Sequence, residues 1–180
     1  MHCYQPYRKQ KVHSKDRMII WSLLIAVITF CVIYVPVHLW SQTPNRDDHV
    51  LILIIGLILL YPLHKFFHIL PIIHLWHDMK FSWSTLGKFV PLLTIQVRKP
   101  LVKWHYLTSL MFPLLINSLI LSSLTFAFPA YSHYFTILQA VHFGICAQDL
   151  FILKSIVTCP NASYIEENSI GFEVLVNEAS

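Results

Sequence analysis

The chain has 180 residues, of which 56% belong to the set A, V, I, L, M, F, W, Y and C and only 12% are charged, against roughly a quarter charged in an ordinary soluble domain. That balance excludes a soluble globular protein, and at about 20 apolar residues per crossing it leaves no room for a separate large soluble domain beside four membrane spans. The formal charge of +4 does not point to nucleic acid, because the basic residues lie in blocks beside the apolar runs and not on one face.

In chain order, residues 1–17 form a basic head carrying Arg8, Lys9, Lys11, Lys15 and Arg17. The run from Met18 to Trp40 has no Asp, Glu, Lys or Arg and is long enough to cross. It starts too late and lacks the small-x-small end of a cleaved signal, so it reads as a retained span. A second apolar run, Val50 to Trp76, is interrupted by Pro62, His64, Lys65, His68 and Pro71. In the 77–106 connection, Phe89 to Val97 is apolar and rich in strand formers, and the turn signal Arg98-Lys99-Pro100 separates it from Leu101 to Tyr106. A short β-hairpin or re-entrant segment is expected there. The run from Leu107 to Ser132 is a third span, and Tyr134 to Thr158 a fourth that contains His142, Asp149 and Lys154. The tail, 159–180, is acidic and has one strand-like stretch, Phe172 to Val176.

The expected fold is therefore an all-α integral membrane protein with four transmembrane helices. A single membrane domain at 18–158 holds spans at about 18–40, 50–76, 107–132 and 134–158. Lys and Arg number five in the head, one in the first loop, five in the 77–106 connection and none between the last two spans. This alternation places head, middle connection and tail on the cytoplasmic side of the cell membrane, with the lipid bilayer as surroundings. The sequon Asn161-Ala162-Ser163 then never meets the glycosylation machinery. Cys3, Cys31, Cys146 and Cys159 form no CxxC pair, and no disulfide framework is indicated.

Ionisable groups at membrane depth cost roughly 2.5–3.5 kcal/mol each on insertion scales, so Lys65 and Asp149 demand a reason. Counted from the outer ends of their spans, His64 lies 15 residues beyond His49 and Asp149 16 beyond His133. At 1.5 Å per residue those depths are roughly 22 and 24 Å, so the two sites can meet. His64 and His68 are four apart and face the same way on a helix, and Asp149 can supply a third ligand, a set that suits zinc. The competing arrangement is an intramembrane ion pair between Lys65 and Asp149. Gln139, His142, Cys146 and Asp149 recur at helical spacing as a polar stripe facing the bundle interior. His142 fits a hydrogen-bonded interior histidine, Lys154 a snorkelling anchor, and His74 and His77 interfacial residues.

The segments YPLHKFFHILPIIH, RKPLVKWHYLTSLMFPLLI, AQDL and ENSIGFEV, taken in this order and spacing, resemble a bacterial family of small multi-pass membrane proteins. That domain of unknown function is described as putative zincin peptidases and is similar to site-2 proteases. The resemblance runs from about Leu59 onward. It implies a zinc cofactor, with His64 and His68 in the place of the two histidines of HExxH and Asp149 in that of the downstream aspartate ligand.

At the position of the general-base glutamate stands Lys65. A zincin needs that carboxylate to take a proton from the attacking water and pass it to the leaving amine, which a protonated lysine does not do. At about 5 Å and an effective dielectric near 20, its charge also repels each unit of metal charge by roughly 3 kcal/mol. The expected function is that of a zincin-like protein without catalysis, acting by binding a transmembrane protein or membrane-proximal partner. Two alternatives stand beside it: a metal or proton conduit using His64, His68, His142 and Asp149 as relay groups, and an active metallopeptidase with other acid/base groups.

Overall fold

The computed structural model describes residues 2–8, 15–41, 43–86, 90–97, 99–159, 163–167 and 171–176. Lys9 and Lys11 of the head, Arg98 of the turn signal, and Asn161 and Ala162 of the sequon lie outside them. The apolar runs fold as helices, the form in which a chain in lipid satisfies its own backbone donors and acceptors. They are α1 (Lys15–Ser41), α2 (Val50–Ile69), α3 (Lys103–Ala127) and α4 (Ser132–Val157). All four are long and apolar enough to cross a membrane, so the chain is a multi-pass membrane protein.

The second span does not stay α-helical to its end. Past Ile69 it tightens into a 3₁₀ segment, Leu70–Asp78, with Pro71 in its first turn and non-helical dihedrals at Ile72 and Leu75. Proline lacks the N–H that the preceding turn would bond, which accounts for the change of winding. The last two spans are joined by Phe128 and a single 3₁₀ turn, Pro129–Tyr131. Lys103 to Tyr106, assigned to the connection on sequence grounds, form the first turn of α3.

Two small antiparallel sheets complete the fold. The expected hairpin is present, but its partner strands differ from those that the Arg98-Lys99-Pro100 turn suggested. β2 (Met79–Leu86) pairs with β3 (Val90–Val97) in unbroken register, from Met79 opposite Val97 to Leu86 opposite Val90. The segment after the turn, β4 (Leu101–Val102), joins a different sheet of order β1-β6-β5-β4. Its other strands are β1 (His2–Arg8), β5 (Ser163–Glu167) and β6 (Gly171–Val176). Pro6 is compatible with β1 because β1 is an edge strand.

That sheet brings the head, the middle connection and the tail together at one end of the bundle. At the other end the first loop meets the α3–α4 turn. There the Arg46 N–H donates to the Ala130 carbonyl at 3.0 Å, the Tyr131 hydroxyl to Asp48 at 3.2 Å, and His133 Nε2 lies 3.0 Å from Asp47. An even number of crossings follows from the geometry, independently of the charge count.

The interior is layered along the bundle axis. Leu60, Leu121 and Leu138 form a small apolar cluster toward the loop end. A larger one, including Ile72, Tyr106, Leu110, Ile152, Ile156, Ile165 and Phe172, joins α3 and α4 to the four-stranded sheet. Between these clusters in chain position lie His64, His142 and Cys146, all buried. Helix α1 packs against α4 through small residues: Ser22 Oγ donates to the Gly144 carbonyl at 2.6 Å. A Cβ on Gly144 would sit 2.9 Å from the Ser22 carbonyl oxygen, so only glycine permits this approach.

Candidate metal centre

Helix α2 presents His64 and His68 one turn apart, and α4 brings Asp149 to meet them. The depth match read from the sequence is realised as direct contact. His64 Nε2 lies 3.2 Å and His68 Nε2 3.3 Å from Asp149 Oδ2, and the two Nε2 atoms are 3.1 Å apart. His64 is buried, while the side chains of His68 and Asp149 keep 13% and 15% exposure, so the group touches the outside along one edge.

One hydrogen bond beside this triangle assigns a proton. His68 Nδ1 lies 2.8 Å from the Ser109 carbonyl oxygen, which can only accept, so Nδ1 carries the proton and Nε2 presents its lone pair. Ser109 Oγ in turn donates to the His68 carbonyl at 2.6 Å, tying α3 to α2 at this level. His64 Nδ1 lies 3.7 Å from Cys146 Sγ, a contact that either tautomer makes, and its Nε2 is directed at the same point. Asp149 Oδ2 is buried and makes no aligned hydrogen bond among the described residues, although both Nε2 atoms are near it. Three possible ligand atoms, one from each residue, thus converge at 3.1–3.3 Å, the arrangement that a bound cation would require.

Their spacing fits zinc. Bonds of roughly 2.0–2.1 Å to nitrogen and oxygen at tetrahedral angles put neighbouring ligand atoms about 3.3 Å apart, close to all three edges observed. The Nδ1 bond from His68 to a backbone carbonyl is the kind of support that fixes the tautomer of a ligating histidine.

Lys65 is half-buried on the same helix, its Nζ 5.9 Å from the Tyr61 ring centroid one turn back, a cation–π arrangement. Of the two partners proposed for Asp149, the imidazoles face its Oδ2 directly.

The polar stripe on α4 faces inward as expected: Gln139, His142 and Cys146 are buried. Gln139 Nε2 donates to Ser122 Oγ at 3.1 Å. His142 Nε2 lies 3.4 Å from Cys146 Sγ and 3.2 Å from Asn117 Nδ2. His64, His142 and Cys146 form a second cluster of possible ligands beside the first, with His64 common to both. His74 is on the 3₁₀ segment with its ring against His105, 5.8 Å between centroids, and takes no part in either group. Sequence reasoning missed Ser109 and Asn117. Asn117 is the one Asn or Gln in α3, which was a usable signal, whereas a backbone carbonyl such as that of Ser109 leaves none.

Fold and site together define a membrane-embedded protein with a His-x3-His…Asp set of possible metal ligands on neighbouring helices. Residues 57–164 match the family described as putative zincin peptidases, a match over more than half of the chain, and the protein belongs to that family. No curated protein and no solved structure matches it.

Proposed function

We propose that the chain holds zinc at His64, His68 and Asp149, is not a peptidase, and acts by binding a transmembrane or membrane-proximal partner. The observation that carries this reading is Lys65, at the position of the general base, beside a ligand set that is otherwise complete. Bound zinc would supply Lewis acidity toward a peptide carbonyl. The proton transfers belong to side chains, and Lys65 brings three N–H donors and no acceptor while protonated. A general base typically contributes 10²–10⁴-fold, so its loss removes useful turnover while leaving the ability to hold an extended segment near the site.

The test uses a model transmembrane substrate reconstituted with wild type, His68→Ala and Lys65→Glu. Wild type should bind the substrate and leave it uncut, and Lys65→Glu is the variant in which cleavage should first be seen. Cleavage by wild type that disappears in His68→Ala would overturn the non-catalytic reading. Absence of substrate binding would overturn the partner reading.

We further propose that both termini and the 77–106 connection are cytoplasmic, in the cell membrane. The support is the five, one, five, none distribution of basic residues. With an impermeant thiol reagent on intact cells, Thr43→Cys should label directly and Ser180→Cys only after permeabilisation. The reverse pattern inverts the orientation.

A further inference from the structure

The family's ligand set leaves the second cluster unexplained. His142 and Cys146 are 0% and 1% exposed, on a helix where leucine or phenylalanine would pack without desolvating polar atoms. His142 Nδ1 has no hydrogen-bond partner among the described residues, and leaving a buried nitrogen unsatisfied is unfavourable. Its Nε2 points at Cys146 Sγ, which also faces the Nδ1 of His64, at 3.4 and 3.7 Å. Bonds of roughly 2.3 Å to sulfur and 2.0–2.1 Å to nitrogen at tetrahedral angles place S and N about 3.5–3.6 Å apart. The two measured edges bracket that distance.

We propose that His64 Nδ1, Cys146 Sγ and His142 Nε2 form a second metal site, selective for a thiophilic monovalent cation such as Cu(I). Selectivity follows from softness and from charge. A thiolate with two imidazoles is a soft set that contains no carboxylate, which favours Cu(I) over harder ions. On binding, the ion replaces the thiol proton, which leaves to solvent, while the His64 ring proton resides on Nε2 so that Nδ1 offers its lone pair, and a monovalent cation therefore adds no net charge to a site sealed from water. A divalent ion would leave one uncompensated charge there, near Lys65. Asn117, which now donates its amide N–H toward His142 Nε2, turns its amide to present Oδ1, an oxygen that can face the ion. Because one imidazole serves both groups through opposite nitrogens, filling both at once requires His64 to give up its ring proton as well, so the two sites are coupled through it, and the proposal does not require zinc to occupy the other.

The test uses the full chain in detergent under anaerobic reducing conditions, with Cys3→Ser, Cys31→Ser and Cys159→Ser leaving Cys146 as the sole thiol. Cu(I) affinity is measured by competition with a chromophoric chelator, and the copper shell by X-ray absorption. The expected result is a sulfur-containing shell, with affinity weakened at least about 100-fold, the upper end of what a lost supporting residue costs, in Cys146→Ser and in His142→Ala. Asp149→Asn should keep Cu(I). Cys146→Ser preserves size and removes only the soft donor, so a folding defect in His142→Ala does not blunt the test. Unchanged Cu(I) affinity in Cys146→Ser, a shell without sulfur, or equal loss in Asp149→Asn would overturn the proposal. Zinc content measured in parallel separates the two readings: a chain that binds Cu(I) and no zinc defeats the zinc reading alone, and the converse defeats only this one.

Discussion

Elemental analysis of purified wild type should find about one zinc per chain, and His64→Ala, His68→Ala and Asp149→Ala should each fall to background. The expectation rests on the 3.1–3.3 Å triangle of possible ligand atoms, in which Asp149 Oδ2 makes no hydrogen bond among the described residues. Zinc sites in small domains are worth roughly 10–16 kcal/mol, so removing one of three protein ligands should cost several orders of magnitude in affinity. The same measurement decides between the metal and the Lys65–Asp149 ion pair that the sequence also allowed. If Asp149 serves a metal, Lys65→Met removes a repelling charge and is neutral or stabilising, and chelator lowers the melting temperature of wild type. If Asp149 serves Lys65, each single substitution strands a buried charge, by about 3–5 kcal/mol, and Lys65→Met with Asp149→Leu together recover much of the loss without any response to chelator. The metal pattern is the expected one, because both imidazoles face the same carboxylate oxygen.

The second large effect is expected at Lys103, counted in the sequence among the basic residues that set orientation. In the folded chain it is 2% exposed, and its Nζ donates to the Val157 carbonyl at 3.1 Å and to that of Cys159. The last four carbonyls of a helix have no intrahelical partner, and a cation at that end also meets the negative pole of the helix dipole. One ammonium thus closes α4 and fastens it to the start of α3, beside the β4–β5 pairing of Leu101 with Ile165. Burial pushes the neighbouring Cys159 thiol up, against the opposing pull of Lys103, so it stays a neutral thiol and not a counter-ion. Lys103→Leu should destabilise the protein by about 2–4 kcal/mol, since hydrogen bonds from charged donors are worth roughly 1.5–3 kcal/mol each. For a chain of this size that is a fall of roughly 5–15 °C in melting temperature. Lys103→Arg should retain most of the stability, and the exposed Lys80→Leu should change it by no more than about 0.5 kcal/mol. A Lys103→Leu melt indistinguishable from that of Lys80→Leu would show that the cap contributes nothing.

Much of the candidate site was legible beforehand because helical periodicity and membrane depth are both counted in residues. His64 and His68 share a face by their spacing, and Asp149 reaches them because its span and theirs run in the same direction with matched offsets. The proton position on His68 was not legible, since it depends on the Ser109 carbonyl, supplied by another helix. Nor was the sharing of His64 between two donor groups, which requires α2 and α4 to approach on both sides of one ring.

By itself the sequence determined four spans, the hairpin in the connection and the inward polar stripe of α4, whereas the reading of Lys65 as standing at a general-base position came from the family resemblance. The first three are properties of composition or of short-range spacing. Only the tertiary structure decided that His2–Arg8 is a strand, that Leu101–Val102 pairs with the tail and not with β3, and that Lys103 is a buried helix cap. Those depend on partners distant in the chain. A strand edge is completed by whichever segment reaches it, and a lysine is solvated or buried according to whether carbonyls without partners lie within its reach. Neither condition is written in the local residues.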